Sequence, residues 1–119
     1  MNRLFRLTRS EDFSQVKRDG KSISNRLFKI ILHPNGTPTS RFGIITGKSI
    51  GNAVTRNRCK RLMRASIQSI CNSLHPGWDV IIIVRHSAVQ ADYQDTQTGL
   101  TELLRRAGLL NGTPDDVQL

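Results

Sequence analysis

The chain has 119 residues, which is the length of one domain with a single modest core. Its share of hydrophobic residues, 37%, is below that of most globular domains, but these residues occur in compact runs such as 81–84, which predicts a folded domain with a large polar surface. The longest apolar run is too short to cross a bilayer, and the N-terminus lacks the apolar segment of a signal peptide, so we expect a cytoplasmic protein with no membrane partner.

The first predicted element is a helix. Thr8 and Glu11 have the spacing of a capping box, and Ser10 is a second candidate for the N-cap. Phe13 begins a small apolar face, and Gly20 is expected to end the helix.

Apolar runs and turn residues predict three strands. The segments 26–33 and 41–46 flank a turn at 34–38, and we expect them to pair as an antiparallel hairpin. The segment 79–84 is too apolar for a half-exposed strand and is expected at the centre of the sheet.

Two further helices complete the pattern. A loop bracketed by glycines, 47–51, precedes a long helix at about 52–74, and a last helix covers about 92–107, ahead of a loose tail at 111–119. The order α-β-β-α-β-α favours an α+β fold, a mixed α/β sandwich in which helices pack on a small sheet, with 1–119 as a single domain.

Charge is distributed unevenly along the chain. No acidic residue lies between Asp19 and Asp79, whereas ten Lys and Arg residues do. A field of one sign repels itself unless a polyanion neutralises it, and mixed charges would serve solubility better. Nucleic acid is the expected partner because neutralised phosphates release counterions; an anionic membrane surface is the competing polyanion.

Metal and disulfide chemistry have little support in the sequence. Cys59 and Cys71 would lie about 18 Å apart along one helix, so we expect two free thiols. No CxxC pair occurs, and the three histidines are scattered, so we expect no metal site and no cofactor bound by the protein.

The predicted long helix is amphipathic, with an almost purely cationic polar face. At 100° per residue, the polar side chains fall within an arc of about 140°. Like charges four residues apart destabilise an isolated helix, and that cost is offset if phosphates lie between them. This cationic stripe comprises Arg56, Asn57, Lys60, Arg61 and Arg64.

The loop ahead of the helix also favours an anion. Gly47 and Gly51 permit close approach of the backbone, Lys48 adds charge, and the N-terminus of the helix attracts phosphate. The loop is not a Walker A sequence.

One segment carries a resemblance to a known family. The run from 48 to 64 reads Lys48-x-x-Gly51-Asn52-Ala53-Val54-x-Arg56-Asn57-Arg58-x-Lys60-Arg61-x-x-Arg64 and resembles the signature of the bacterial ribonuclease P protein. The segments 11–20 and 79–83 also lie where that family has similar residues.

The resemblance implies a fold and a role. The fold is like domain 2 of ribosomal protein S5, with a left-handed crossover around the basic helix that the general rule would not predict. The role is that of the protein subunit of an endoribonuclease that removes the 5′ leader from precursor tRNA. The ribonuclease P RNA is the 1:1 partner and carries out the chemistry with Mg²⁺, so this chain has no catalytic residue.

The resemblance also assigns two sets of contacts. Those expected to bind the RNA subunit are Lys48, Asn52, Arg56, Asn57, Arg58, Lys60, Arg61 and Arg64. Those expected to bind the leader of precursor tRNA are Arg9, Phe13, Lys17, Phe28 and Ile31. Some relatives have aromatic residues where this chain has Lys17 and Ile31, so leader binding is expected to depend more on charge than on base stacking. For Phe13 a core position is an equal alternative.

Three other classes of protein compete with this interpretation. A structural RNA-binding protein of the ribosomal type fits the charge but does not account for the signature spacing. A helix-turn-helix DNA binder would need a short helix one tight turn before the basic one. A protein nuclease would need clustered carboxylates that bind a metal ion, or a histidine that acts as a general base. Asp92 and Asp95 alone give weak support for such a site, and acidic residues at this spacing are more typical of the first turn of a helix.

Overall fold

The computed structural model describes residues 6–110, which form a four-stranded mixed sheet with helices on both faces. The helices are α1 (Ser10–Asp19), α2 (Ala53–Ile70) and α3 (Tyr93–Arg106). The strands are β1 (Lys21–Ser24), β2 (Phe28–Pro34), β3 (Arg41–Ile45) and β4 (Trp78–Val84). The predicted tail at 111–119 lies outside the described residues.

The sheet has the order β1-β2-β4-β3, which confirms the interior position of the most apolar strand. The predicted hairpin of β2 with β3 is wrong. β4 lies between them, antiparallel to β2 and parallel to β3, so α2 is the crossover that joins the parallel pair. β1 was not predicted because its four residues are mostly polar and only Ile23 packs against the core. The handedness of the crossover stays a prediction.

The larger hydrophobic core lies between the sheet and the pair α2 and α3. Phe28, Ile30 and Leu32 of β2 are buried there, so Lys29 and Ile31 point to the opposite face because side chains alternate along a strand. Ser66 is also fully buried and bonds to the carbonyl of Leu62 within α2.

The smaller core lies on the opposite face, beneath α1. Leu7 and Val16 pack there on Ile31 and Ile81, with Phe13 partly buried beside them. The surface covered by α1 is therefore the part of the sheet around these two isoleucines.

The predicted capping box of α1 is wrong. The N-cap is Arg9, which has extended backbone and makes no side-chain cap. The amide of Leu7 donates to the carbonyl oxygen of Phe42 at 2.8 Å, and Arg6 forms a parallel bridge with the same residue. This pairing with β3 holds the chain extended past Thr8, so the N-cap lies one residue later than predicted and the helix begins at Ser10.

The other two helices follow the sequence more closely. α2 ends at Ile70, four residues before the predicted end, and a 3₁₀ turn follows. α3 is capped by the side chain of Asp92, and Gly108 beyond its end has a φ of 79°. Cys59 is buried, Cys71 is partly buried, and both are free thiols. No helix within residues 6–110 is long and apolar enough to cross a membrane.

Candidate nucleic-acid interface

The start of α2 is built from a tight loop and an asparagine cap. Ile50 is buried and anchors a 3₁₀ turn, and Gly51 reverses the chain with a φ of 139°. The Oδ1 of Asn52 then accepts a hydrogen bond from the amide of Thr55 at 2.9 Å. The first turn contains no acidic residue, and Lys48 is exposed beside it, so this terminus favours a phosphate.

The two faces of α2 are as predicted. Cys59, Met63 and Ile67 are buried against the core, while Asn57 and Arg61 are exposed. The other members of the cationic stripe are half-buried. Within the described part of the chain, none of its cations forms an ion pair with an acidic side chain, so their charge is available to an external anion.

Arg58 points away from the cationic stripe. Its guanidinium donates to the carbonyl oxygens of Val89 at 3.0 Å and Ala91 at 3.3 Å. The side chain therefore joins α2 to the loop that leads into α3. The contact of Arg58 with RNA stays a prediction. Its hydrogen bonds also give this side chain a structural role within the protein.

The cationic stripe extends to the α1 side of the molecule at the edge of β3. Lys60 and Arg64 line a cleft of about 160 Å³ together with Phe13 of α1 and Gly43 of β3. The Nε of Arg64 is buried there without a hydrogen-bond partner among the described residues.

The predicted leader contacts divide into three situations. Arg9 and Lys17 are exposed on α1. Phe13 is half-buried with its ring against Gly43, and Ile31 is buried under α1. The prediction for Phe28 is corrected, because this side chain is 1% exposed in the larger core, on the other face of the sheet.

An ion-pair network fixes α1 on the sheet. Arg41 donates to both carboxylate oxygens of the buried Asp79, from Nε at 2.9 Å and from Nη2 at 2.7 Å, and from Nη1 to Asp12 of α1 at 3.3 Å. Asn35 adds a hydrogen bond to Asp79 at 2.9 Å. The hydrogen bond and charge of Asp79 raise the pKa of Arg41 against the opposing effect of burial. The network anchors the flank of α1 that carries Asp12.

Lys29 was not among the predicted contacts. It is exposed between buried neighbours on β2 and lies on the same face as α1. The alternation of Phe28, Lys29 and Ile30 is the signal in the sequence that would have identified it. Within residues 6–110, no group of three or more His, Cys, Asp or Glu side chains is placed to hold a metal ion.

Comparisons with known proteins identify the family to which this chain belongs. The family model for ribonuclease P matches residues 1–108. The ribonuclease P protein component of Clostridium botulinum (strain Loch Maree / Type A3) is 36% identical over 107 residues, covering 89% of this chain and 96% of its own. That of Roseiflexus sp. (strain RS-1) is 33% identical over 114 residues, covering 95% and 93%.

Solved structures show the same relationship. The RNase P protein of Staphylococcus aureus superimposes with a TM-score of 0.83 at 30% identity, covering 90% of this chain and 98% of that one. The RNase P protein of Thermotoga maritima gives a TM-score of 0.79 at 30% identity, with coverages of 85% and 96%. Sequence, fold and family model therefore agree, and the chain belongs to the ribonuclease P protein family.

Proposed function

We propose that this chain binds the catalytic RNA of ribonuclease P through the cationic stripe and the loop before it, and binds the 5′ leader of precursor tRNA beside α1. Together these contacts promote endonucleolytic removal of the leader. The observation that carries the proposal is the row of cations on α2, which have no acidic partner among residues 6–110 and follow a helix N-terminus whose first turn contains no acidic residue.

The chemistry belongs to the RNA in this proposal. Precursor tRNA is the substrate, the stoichiometry of protein to RNA subunit is 1:1, and Mg²⁺ is required by the RNA-containing enzyme in the cytoplasm. The protein supplies positive charge that lowers the repulsion between two RNA molecules, which is the task that Mg²⁺ otherwise performs.

Reconstitution tests this proposal. The protein alone is expected not to cleave precursor tRNA, whereas adding it to a bacterial ribonuclease P RNA at low Mg²⁺ is expected to raise the cleavage rate. Cleavage is followed by gel electrophoresis of end-labelled precursor. Cleavage by RNA-free protein, or no stimulation of the RNA, would overturn the proposal and favour a structural RNA-binding protein.

Arg61 provides a direct test of the cationic stripe because its side chain is exposed on the surface of α2. Arg61→Ala is expected to weaken binding to the RNA subunit and to reduce the slope of log K against log salt by about 0.7–0.9, the value for one phosphate contact. Filter binding over a range of salt concentrations measures this slope.

Arg106→Ala on α3 is the matched control. Arg106 is half-exposed and pairs with Glu102 at the surface, away from the cationic stripe. Its substitution is expected to leave both affinity and slope unchanged. An unaltered slope for Arg61→Ala would remove this residue from the interface.

A further inference from the structure

The sheet has an open strip beside α1. Cross-strand pairing aligns Ser24 with Lys29, Lys29 with Ile83, and Ile83 with Ile45, so these four side chains form one row on the face that carries α1. The isoleucines are half-buried and the lysine is exposed. We call this row the open strip.

α1 covers the adjacent row and leaves the open strip uncovered. Its residues Phe13 and Val16 lie on Gly43, Ile31 and Ile81, which form the next row of the sheet. The open strip and the flank of α1 therefore form the floor and wall of a groove.

The wall of the groove carries positive charge. Asp12 faces Arg41 and Asp79, on the far side of α1 from the open strip. Lys17 follows Asp12 by five residues, which is about 140° around the helix, so it lies on the flank toward the open strip. Neither Lys17 nor Lys29 forms an ion pair with an acidic side chain of residues 6–110.

The groove has two different ends. At β3 it adjoins the cleft where Lys60 and Arg64 of the cationic stripe meet Phe13. At β2, two strands away, it reaches Lys29, and only Ser24 of the edge strand β1 lies beyond this lysine in the open strip. Neighbouring strands lie about 4.8 Å apart, so Lys29 is about 10 Å across the sheet from Ile45, a span of about three stacked nucleotides.

We propose that Lys29 binds a leader phosphate at the end of the groove remote from α2, beyond the nucleotides nearest the cleavage site. This inference rests on the proposed function, because it takes α2 as the side of the RNA subunit. The floor offers aliphatic side chains and a cation but no aromatic ring, so this part of the leader is held through its phosphates with little discrimination among bases.

Binding curves for the reconstituted holoenzyme test the inference. Lys29→Ala is expected to weaken affinity about fivefold for precursor with a leader of about eight nucleotides, and to lower the salt slope by about 0.7. It is expected to leave affinity unchanged for mature tRNA and for a leader of about two nucleotides, which ends before the lysine. Lys29→Arg is expected to restore the long-leader affinity.

Lys21→Ala is the matched control. Lys21 is an exposed lysine on the neighbouring strand, but it pairs with Leu32 and so belongs to the opposite face of the sheet. Its removal changes the net charge equally and is expected to change none of these affinities. A long leader with abasic sites at its distal positions is expected to bind within about twofold of the normal leader, since its phosphates remain.

The outcomes are distinguishable. Equal weakening for mature and precursor tRNA, an equal effect of Lys21→Ala, or an effect on the short leader would overturn the assignment of Lys29. A loss of more than about tenfold with the abasic leader would contradict phosphate-based binding. If the leader adds no affinity even to the unaltered holoenzyme, the proposed leader binding itself is wrong.

Discussion

Replacing Arg41 with Met is expected to lower the free energy of unfolding by about 3 kcal/mol. The substitution leaves the Asp79 carboxylate, whose side chain is 6% exposed, without its cation, and breaking such a buried pair costs about 3–5 kcal/mol. We expect the lower end because the Arg41 side chain is 31% exposed and water can reach the vacated position. Urea denaturation followed by circular dichroism measures the change.

Two further variants test the cause of this loss. Adding Asp79→Asn to Arg41→Met removes the stranded charge and is expected to recover at least half of the stability. Arg18→Met breaks an Arg–Asp pair at the surface, where Arg18 is 70% exposed, and is expected to leave stability close to that of the parent. If the double variant were less stable than Arg41→Met alone, the stranded carboxylate would not be the cause.

Gly20→Ala is expected to destabilise the protein by about 3 kcal/mol, at the upper end for overpacking. A Cβ at this position would lie 2.5 Å from the carbonyl oxygen of Val16 and 2.8 Å from that of Leu32. Both are backbone atoms and cannot rotate away, so α1 would have to move off β2. The residue has a φ of −79°, so the cost comes from packing and not from the backbone angle.

Gly47→Ala separates packing from a general effect of removing glycine. Gly47 has a φ of −78°, and the nearest atom to its Cβ would be the Ser49 hydroxyl at 4.0 Å. Its substitution is expected to leave thermal stability unchanged or slightly raised, since Ala restricts the unfolded chain. Equal losses for both variants would show that the close contact at Gly20 is not decisive.

Local sequence patterns predicted the positions of the helices and strands better than they predicted which strands pair in the sheet. The apolar run of β4 identified an interior strand, and helical periodicity separated the two faces of α2. The pairing of β2 and β3 was wrong because nearness in sequence favours a hairpin, whereas both strands gain more by pairing with β4. The polar strand β1 leaves almost no periodic signal, since its pairing with β2 is what makes it a strand.

The part of the candidate site that lies on α2 alone could be predicted from the sequence. The part formed between α1 and the sheet could not. The cationic stripe follows from residue spacing alone. Assigning Phe28 to the leader required knowing which face of β2 is turned to α1, and that is set by the register with β4. The alternation along β2 distinguishes Lys29 from its apolar neighbours in the sequence, but only the register with β4 shows that this lysine lies on the α1 face.

The unequal size of the two cores has a dynamic consequence. Segments held by few buried contacts open locally at a lower free energy than the rest of a protein. α1 is held by a small apolar cluster and the network around Arg41, whereas α2 and α3 share the larger core. We therefore expect α1 to open locally at a lower free energy than α2. In the proposed function, this lets one wall of the groove adapt to different leader sequences while α2 keeps its shape.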